Sequence, residues 1–333
     1  MSLGRARILV TGGTGTFGRA FVKRVLATNP DIERLVIFSR DEFKQYEMSQ
    51  TFSEHDYPGI RYFIGDVRDK ERLALACENI DVIVHAAALK HVPTGELNPF
   101  EVVKTNIGGA DNVIAAALSN EVSKVIALST DKAAGPVNLY GATKLCSDKF
   151  FVAANNIRRN LNPSFSVVRY GNVMNSRGSV IPFFLSEREK GVLPITHTDM
   201  TRFNISIEEG VDHVIWAIEN AFGGEIFVPK LPSYRVVDLA KAIAPSARHE
   251  IVGIRPGEKI HEDLLLASEA GITLEMPERY VAIADEEFRS RFANAFQATA
   301  VEGNFQYNSG TNNQFLSVGE LHALIFEKEM NPA

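Results

Sequence analysis

The stretch Val10-Thr11-Gly12-Gly13-Thr14-Gly15-Thr16-Phe17-Gly18 limits what this chain can fold into more than any other part of it. An apolar β-branched run, Ile8 to Val10, leads directly into glycines at 12, 15 and 18, and a helix-like segment, Phe17 to Ala27, follows at once. Each glycine has a physical task in a strand-turn-helix unit that receives a dinucleotide. Gly12 permits the tight turn, Gly15 lets a pyrophosphate approach the backbone, and Gly18 allows the helix to pack closely on the sheet. The N–H groups that open the helix then face the anion. The same alternation continues along the chain. Leu35 to Phe38, Tyr62 to Ile64, Val82 to Val84, Val125 to Leu128 and Phe165 to Val168 are short apolar runs suited to strands buried on both faces. Lys70 to Cys77, Phe100 to Ser119 and Leu139 to Arg158 carry helical spacing between them. Repeated βαβ units imply an α/β fold with a doubly wound parallel sheet, the Rossmann arrangement.

Two further clusters bear on chemistry. After the second strand, where NAD-selective folds place an acidic residue, the chain reads Phe38-Ser39-Arg40-Asp41, with Lys44 one helical turn on. Ser39, Arg40 and Lys44 suit a 2′-phosphate and favour NADP, although Asp41 and Glu42 beside them keep a plain solvated loop open. Asp66, after the third strand, reads as an adenine contact or as a helix cap. Thr130-Asp131-Lys132 ends a strand, and Tyr140 and Lys144 then lie four apart on one helical face. A tyrosine with a pKa near the ordinary value of about 10 is a weak base at neutrality, and a neighbouring ammonium together with a cationic nicotinamide favours its phenolate.

The chain has 333 residues, enough for two lobes. Residues 5–171 read as the NADP-binding Rossmann domain. After Gly171, Pro182, Pro194, Pro229, Pro232, Pro245 and Pro256 break the pattern into shorter elements. Residues 172–330 therefore read mainly as a smaller C-terminal substrate lobe, with segments such as Glu225 to Val228 returning to the main sheet. A net charge of −6 argues against nucleic acid as a partner, since no broad basic face is available. Cys77 and Cys146 lack metal or redox spacing, and His85, His91 and His261 form no metal-ligand pattern, so no metal is expected. Arg7-Ile8-Leu9-Val10 is too short for a signal or a membrane span, and no run approaches 18 apolar residues. The expectation is a cytoplasmic protein without a membrane partner.

These motifs together resemble the extended short-chain dehydrogenase/reductase family, in particular its nucleotide-sugar 4,6-dehydratases and 4-epimerases. His85-Ala86-Ala87-Ala88-Leu89-Lys90-His91-Val92-Pro93, Arg169-Tyr170-Gly171-Asn172-Val173, Arg255-Pro256-Gly257-Glu258-Lys259-Ile260-His261-Glu262 and Asn312-Asn313-Gln314 carry the likeness, which runs from about residue 6 to residue 321. Retaining dehydratases typically have Asp-Glu where this chain has Asp131-Lys132, which resembles the inverting UDP-N-acetylglucosamine 4,6-dehydratases of the pseudaminic acid pathway type. The resemblance implies NADP as cofactor, held by Gly12, Thr14, Gly15, Thr16, Phe17, Gly18, Ser39, Arg40, Lys44, Asp66, Val67, Ala86, Ala87, Lys90, Tyr140 and Lys144. It implies catalysis by Thr130, Asp131, Lys132, Tyr140 and Lys144, with Lys132 removing the carbon 5 proton or stabilising the enolate. For the UDP-sugar it implies Lys90, His91, Asn172, Arg177, Arg202, Arg255 and Glu258. A homo-oligomer, dimer or hexamer, is implied as well. A UDP-sugar 4-epimerase, a retaining dehydratase and a non-catalytic NADP-binding sensor are the competing readings.

Overall fold

A computed structural model describes residues 3–157, 162–174 and 179–330. Strands β1 (Arg7–Thr11), β2 (Arg34–Ser39), β3 (Ile60–Ile64), β4 (Val82–His85), β5 (Lys124–Thr130) and β6 (Ser164–Tyr170) pair in parallel in the order β3-β2-β1-β4-β5-β6. Each coincides with an expected apolar run. Ile8, Leu9, Val10, Leu35 to Phe38 and Val82 to Val84 have no exposed surface, because helices cover both faces of the sheet. β3 is the edge strand, and its last residue, Ile64, is half exposed.

The helices are α1 (Thr16–Thr28), α2 (Glu42–Thr51), α3 (Lys70–Ala76), α4 (Val92–Leu97), α5 (Pro99–Val103), α6 (Gly109–Ser119) and α7 (Leu139–Ala154). Four depart from the sequence reading, the first being α4, which is six residues long, buries none of them and was not foreseen. α2 was not foreseen, because it buries only Gln45 and Met48 and so shows no apolar stripe. The expected helix over 100–119 is α5 and α6 joined by a π-helical turn, Lys104–Gly108. Within that turn Asn106 accepts from the Leu89 N–H at 2.8 Å and donates to the Leu89 carbonyl at 3.0 Å, fixing the loop after β4. α7 stops at Ala154 rather than Arg158, because Asn155 turns its side-chain amide onto the carbonyls of Phe151, Val152 and Phe165. Arg158 itself lies outside the described residues.

The second half contributes more to the main sheet than its irregular sequence suggests. Glu225–Pro229 pairs in parallel with β6, as expected, and Arg279–Ile283, Thr273–Glu275 and Thr299–Ala300 then add antiparallel strands, making ten in this sheet among the described residues. Helix Ile207–Asn220 packs its buried face into the same core. A second core forms around Val180–Glu187, Val236–Ile243 and Val318–Met330, with Phe184, Leu193, Ile195, Leu239, Leu321 and Ile325 buried together. Leu3, ahead of the expected domain start at residue 5, is buried too.

A charged side chain crosses the middle of this packing. Arg169 on β6 is 1% exposed. Its Nη2 lies 3.4 Å from Asp148 of α7, and its Nη1 lies 3.1 Å from both the Leu264 carbonyl and Glu269 Oε1. Ser129 of β5 donates to Asp148 at 2.8 Å. Burial pushes the Asp148 carboxyl up, while Arg169 and Lys144 oppose that shift. Removing one member of such a network leaves an unanswered charge in a dry interior. Arg169→Met should therefore cost about 3–5 kcal/mol of stability, measured by urea unfolding. A loss below about 1 kcal/mol would mean that the network does not hold β5, β6 and α7 together.

Candidate active site

The connections that follow β1 and β4 run to opposite sides, so the carboxyl ends of these neighbouring strands leave a crevice between them. Here it opens into a cleft of about 1680 Å³, larger than the ~300–1,000 Å³ typical of a single small-ligand pocket. Such a cleft has room for two ligands side by side.

One end is built from the first turn. Gly12 has φ +67°, and a Cβ there would lie 2.9 Å from the Ala87 nitrogen, so no other residue fits without moving the loop after β4. Gly15 is the N-cap of α1 and provides no side-chain cap, and the first turn holds no acidic residue. The N–H groups that open α1 therefore face the cleft without a carboxylate to compete for them, which fits a pyrophosphate. Thr14, Thr16, Phe17, Gly18, Val67, Ala86 and Ala87 line the same region. Ser39 does as well, although its hydroxyl already accepts from Thr14 at 3.1 Å and Gln45 at 3.2 Å. Arg40 and Lys44 reach the rim. Arg40 lies 3.7 Å from Asp66, and Lys44 lies 2.7 Å from Asp41, so each cation keeps a carboxylate close by. Asp66 lines the cleft but does not cap α3. That position belongs to Asp69, which accepts from the Arg72 N–H at 2.9 Å. Burial alone would raise the Asp66 carboxyl, but Arg68 and Arg40 hold it below its usual value.

Thr130, Lys132, Tyr140 and Lys144 come together where β5 ends and α7 begins. Asn138 caps α7 by accepting from the Gly141 N–H at 2.8 Å, which sets the helical register carrying Tyr140 and Lys144. Burial pushes the Tyr140 phenol up to about 12, with Lys132 and the Thr130 hydroxyl acting against it. Its closest electrostatic help is thus Lys132 rather than Lys144. Lys144 is 4% exposed and its Nζ makes no side-chain hydrogen bond among the described residues. Burial lowers its pKa, with Asp148 opposing.

The Asp131-Lys132 pair is held by tight ionic and hydrogen-bond contacts. Asp131 is fully buried and sits behind the cleft wall. Its Oδ1 accepts from Thr130 Oγ1 at 2.9 Å and from Lys132 Nζ at 3.0 Å, while its Oδ2 has no partner among the described residues. For Lys132 two roles were open: removing the carbon 5 proton, which requires a neutral amine, or stabilising the enolate, which does not. Its Nζ lies 3.0 Å from Asp131, 3.2 Å from Asn172 Oδ1 and 3.5 Å from Glu262. Burial would favour the amine, but Asp131 and Glu262 outweigh it and raise the pKa, so Lys132 is an ammonium.

Glu262 was quoted in the sequence only as the end of the Arg255 to Glu262 run. It is 3% exposed, lines the cleft, and pairs with Arg202 Nε at 3.6 Å as well as with Lys132. Periodicity gives no signal for such a residue; the only clue was its place in the motif. Asn172, Arg202, Arg255 and Glu258 all line the cleft, whereas Arg177 lies outside the described residues. Lys90 and His91 line it too, and His91 Nδ1 lies 2.7 Å from Thr94 Oγ1. His85 and His261 make internal contacts, with Thr11 Oγ1 and Thr201 Oγ1 respectively, each at 2.8 Å.

Comparison with known proteins gives a consistent set of likenesses. Residues 8–284 match the family described as "Polysaccharide biosynthesis protein". A Campylobacter jejuni protein named "UDP-N-acetylglucosamine 4,6-dehydratase (inverting)" is 51% identical, with 98% of each chain covered. A Rickettsia conorii protein named "UDP-glucose 4-epimerase" is 44% identical over 79% of this chain and 78% of its own. The X-ray structure of Pen from Bacillus thuringiensis superposes with a TM-score of 0.87 at 34% identity, covering 98% of this chain and 100% of that one.

The ionisation of Tyr140 can be read directly. Burial raises its pKa, so the phenol is neutral up to strongly alkaline pH until a positive ring lies beside it. The difference in absorbance at 295 nm between wild type and Tyr140→Phe should stay flat to about pH 10 without cofactor, and should rise at lower pH once an oxidised nicotinamide is bound. Tyrosinate signal below about pH 9 without cofactor would contradict this burial effect.

Proposed function

The chain belongs to the polysaccharide biosynthesis protein family, and from that premise we propose that it is an inverting UDP-N-acetylglucosamine 4,6-dehydratase. The product is UDP-2-acetamido-2,6-dideoxy-β-L-arabino-hex-4-ulose, the first intermediate on a route to pseudaminic acid. The observation that carries this reading is the Asp131-Lys132 pair at the end of β5, bonded to Thr130 and electrostatically coupled to Tyr140. The name of the Campylobacter jejuni relative supports it, because its likeness spans nearly the whole chain. A 4-epimerase needs no acid at carbon 6, so the same pair argues against the activity for which the Rickettsia relative is named.

Gly12, Gly15 and the start of α1 hold the pyrophosphate of a nicotinamide dinucleotide, which when bound takes hydride from carbon 4 of the sugar and returns it to carbon 6. Ser39, Arg40 and Lys44 favour NADP by meeting its 2′-phosphate. Tyr140 accepts the proton of the 4-hydroxyl. Lys144, buried in the cleft wall, would bond the nicotinamide ribose. Asp131 is ionised beside Lys132, so the proton it passes to the departing 6-hydroxyl is one it first takes from carbon 5, and Thr130, which bonds it and lines the cleft, relays that proton. With Lys132 held as an ammonium and the Tyr140 phenolate already spent on the 4-hydroxyl proton, removal of the carbon 5 proton falls to the Asp131 carboxylate. Lys132 instead stabilises the enolate and protonates carbon 5 on the opposite face. Asn172, Arg202 and Arg255 bind the diphosphate, and Glu258 suits the ribose hydroxyls.

A dinucleotide domain and a mainly sugar-nucleotide lobe are part of this proposal, supported by the separate second core around Phe184, Leu239 and Leu321, while Phe203 and Tyr307 contribute to the first core. No helix among the described residues is long and apolar enough to cross a membrane, which supports a cytoplasmic location. Leu97, Phe100, Val103 and Phe150, exposed on α4, α5 and α7, favour a homo-oligomer.

The deciding experiment is turnover of UDP-N-acetylglucosamine in heavy water followed by NMR. The first-formed product should have the L-arabino configuration with solvent deuterium at carbon 5, and a first-formed D-xylo product would refute inversion. For cofactor choice, Arg40→Ala should weaken NADP binding by about tenfold while leaving NAD nearly unchanged. Titration of both cofactors by fluorescence checks this, and equal losses would remove Arg40 from the selection.

A further inference from the structure

Glu262 has a fixed backbone and an incompletely satisfied carboxylate. Its N–H donates to Ser309 Oγ at 2.9 Å and its carbonyl accepts from the Ser309 N–H at 2.8 Å, so the main chain has little freedom there. The side chain reaches Lys132 and Arg202 through Oε1 at 3.5 and 3.6 Å. Oε2 has no partner among the described residues. A buried ion pair contributes little net stability compared with apolar packing, and an orphaned carboxylate oxygen makes the balance worse. A carboxylate kept under those terms, in the wall of a reaction cleft, calls for a reason beyond stability.

The contacts of Lys132 supply one. An ammonium has three N–H donors, and here two of them have hydrogen-bond acceptors, Asp131 at 3.0 Å and Asn172 at 3.2 Å, while Glu262 stands at 3.5 Å as a looser ion pair. The first two pin the nitrogen. The third is the loosest and the one a substrate atom displaces most easily. We propose that Glu262 is a positioning residue: it keeps Lys132 charged and its third N–H poised for delivery to carbon 5 of the sugar.

This inference rests on the dehydratase reading given above. In the step it serves, the Lys132 N–H bond breaks and a C–H bond forms at carbon 5, with the enolate supplying the electron pair. The neutral amine left behind regains its proton from water in the cleft. The groups facing Lys132 are Asp131, Tyr140, Lys90, Arg202, Tyr234 and Glu262. Lys90 and Arg202 oppose its charge, so without Glu262 a single carboxylate, Asp131, is left against two cations.

The test uses the full-length protein, with Glu262→Gln to remove the charge at constant shape and Glu262→Asp to withdraw it by one methylene. The ε-carbon signal of Lys132 in 13C-lysine protein, assigned by its loss in Lys132→Arg, reports the proton directly. In wild type it should stay in the ammonium position across the pH range in which the fold survives. In Glu262→Gln it should begin to move at least about one pH unit lower, with a smaller shift of the same sign in Glu262→Asp. The alkaline limb of kcat should fall with it, while KM for UDP-N-acetylglucosamine changes less than about threefold. Identical Lys132 titrations in wild type and both variants would overturn the proposal, as would a loss of kcat with no movement of its alkaline limb. If wild type does not turn over UDP-N-acetylglucosamine, the dehydratase reading fails. The NMR titration, which needs no substrate, then still decides whether Glu262 governs Lys132.

Discussion

A charge removed from water has to be answered where it sits, and the end of β5 is organised around that constraint. Two ionic clusters meet there. Behind the sheet end, Asp148, Arg169 and Glu269 join α7, β6 and the segment that follows Leu264. In the cleft wall, Asp131, Lys132, Glu262 and Arg202 form a second chain of alternating sign. Tyr140 feels both, since Asp131 and Asp148 each raise its pKa. Lys144 answers to Asp148 from the opposite side. Altering one of these charges therefore changes the protonation of its neighbours as well as its own contact.

This coupling gives the site a resting state. Without a ligand, the phenol of Tyr140 is neutral and the amine of Lys132 is charged, so neither acts as a base. Lys144, whose Nζ makes no side-chain hydrogen bond among the described residues, is the group with the most to gain from an incoming partner.

How much of this could be read beforehand depends on what each residue's role leaves in the chain. β1, β2, β4, β5 and β6 are covered on both faces, so each shows as an unbroken apolar run, and the glycines of the first turn stand out because only they fit. α2 buries two side chains and leaves no stripe. The π turn at Lys104–Gly108 adds one residue to a helix that otherwise looks continuous. Thr273–Glu275 and Thr299–Ala300 are too short to show alternation, and the apolar run Arg279–Ile283 was passed over, so a sheet of ten strands was read as one of seven. Within the site, Tyr140 and Lys144 were legible because their spacing is local to one helix. The state of Lys132 was not, because one of the two carboxylates that set it, Glu262, comes from 130 positions further along the chain.

The order in which the chain leaves the ribosome bears on the second core. That core is buried around Ile181 to Met200 and Tyr234 to Ile243, but also around Leu321 and Ile325 on the helix Val318–Met330. The glycine turn and its six parallel strands are complete in sequence by Tyr170, while β6 waits for Glu225–Pro229 to cover its outer edge. The dinucleotide half of the cleft is therefore complete in sequence first, although Arg169 meets the Leu264 carbonyl and Glu269 only later. The wall facing the sugar nucleotide stays unsupported until that late helix arrives, so a stalled or truncated chain would retain an affinity for dinucleotide without the means to use it.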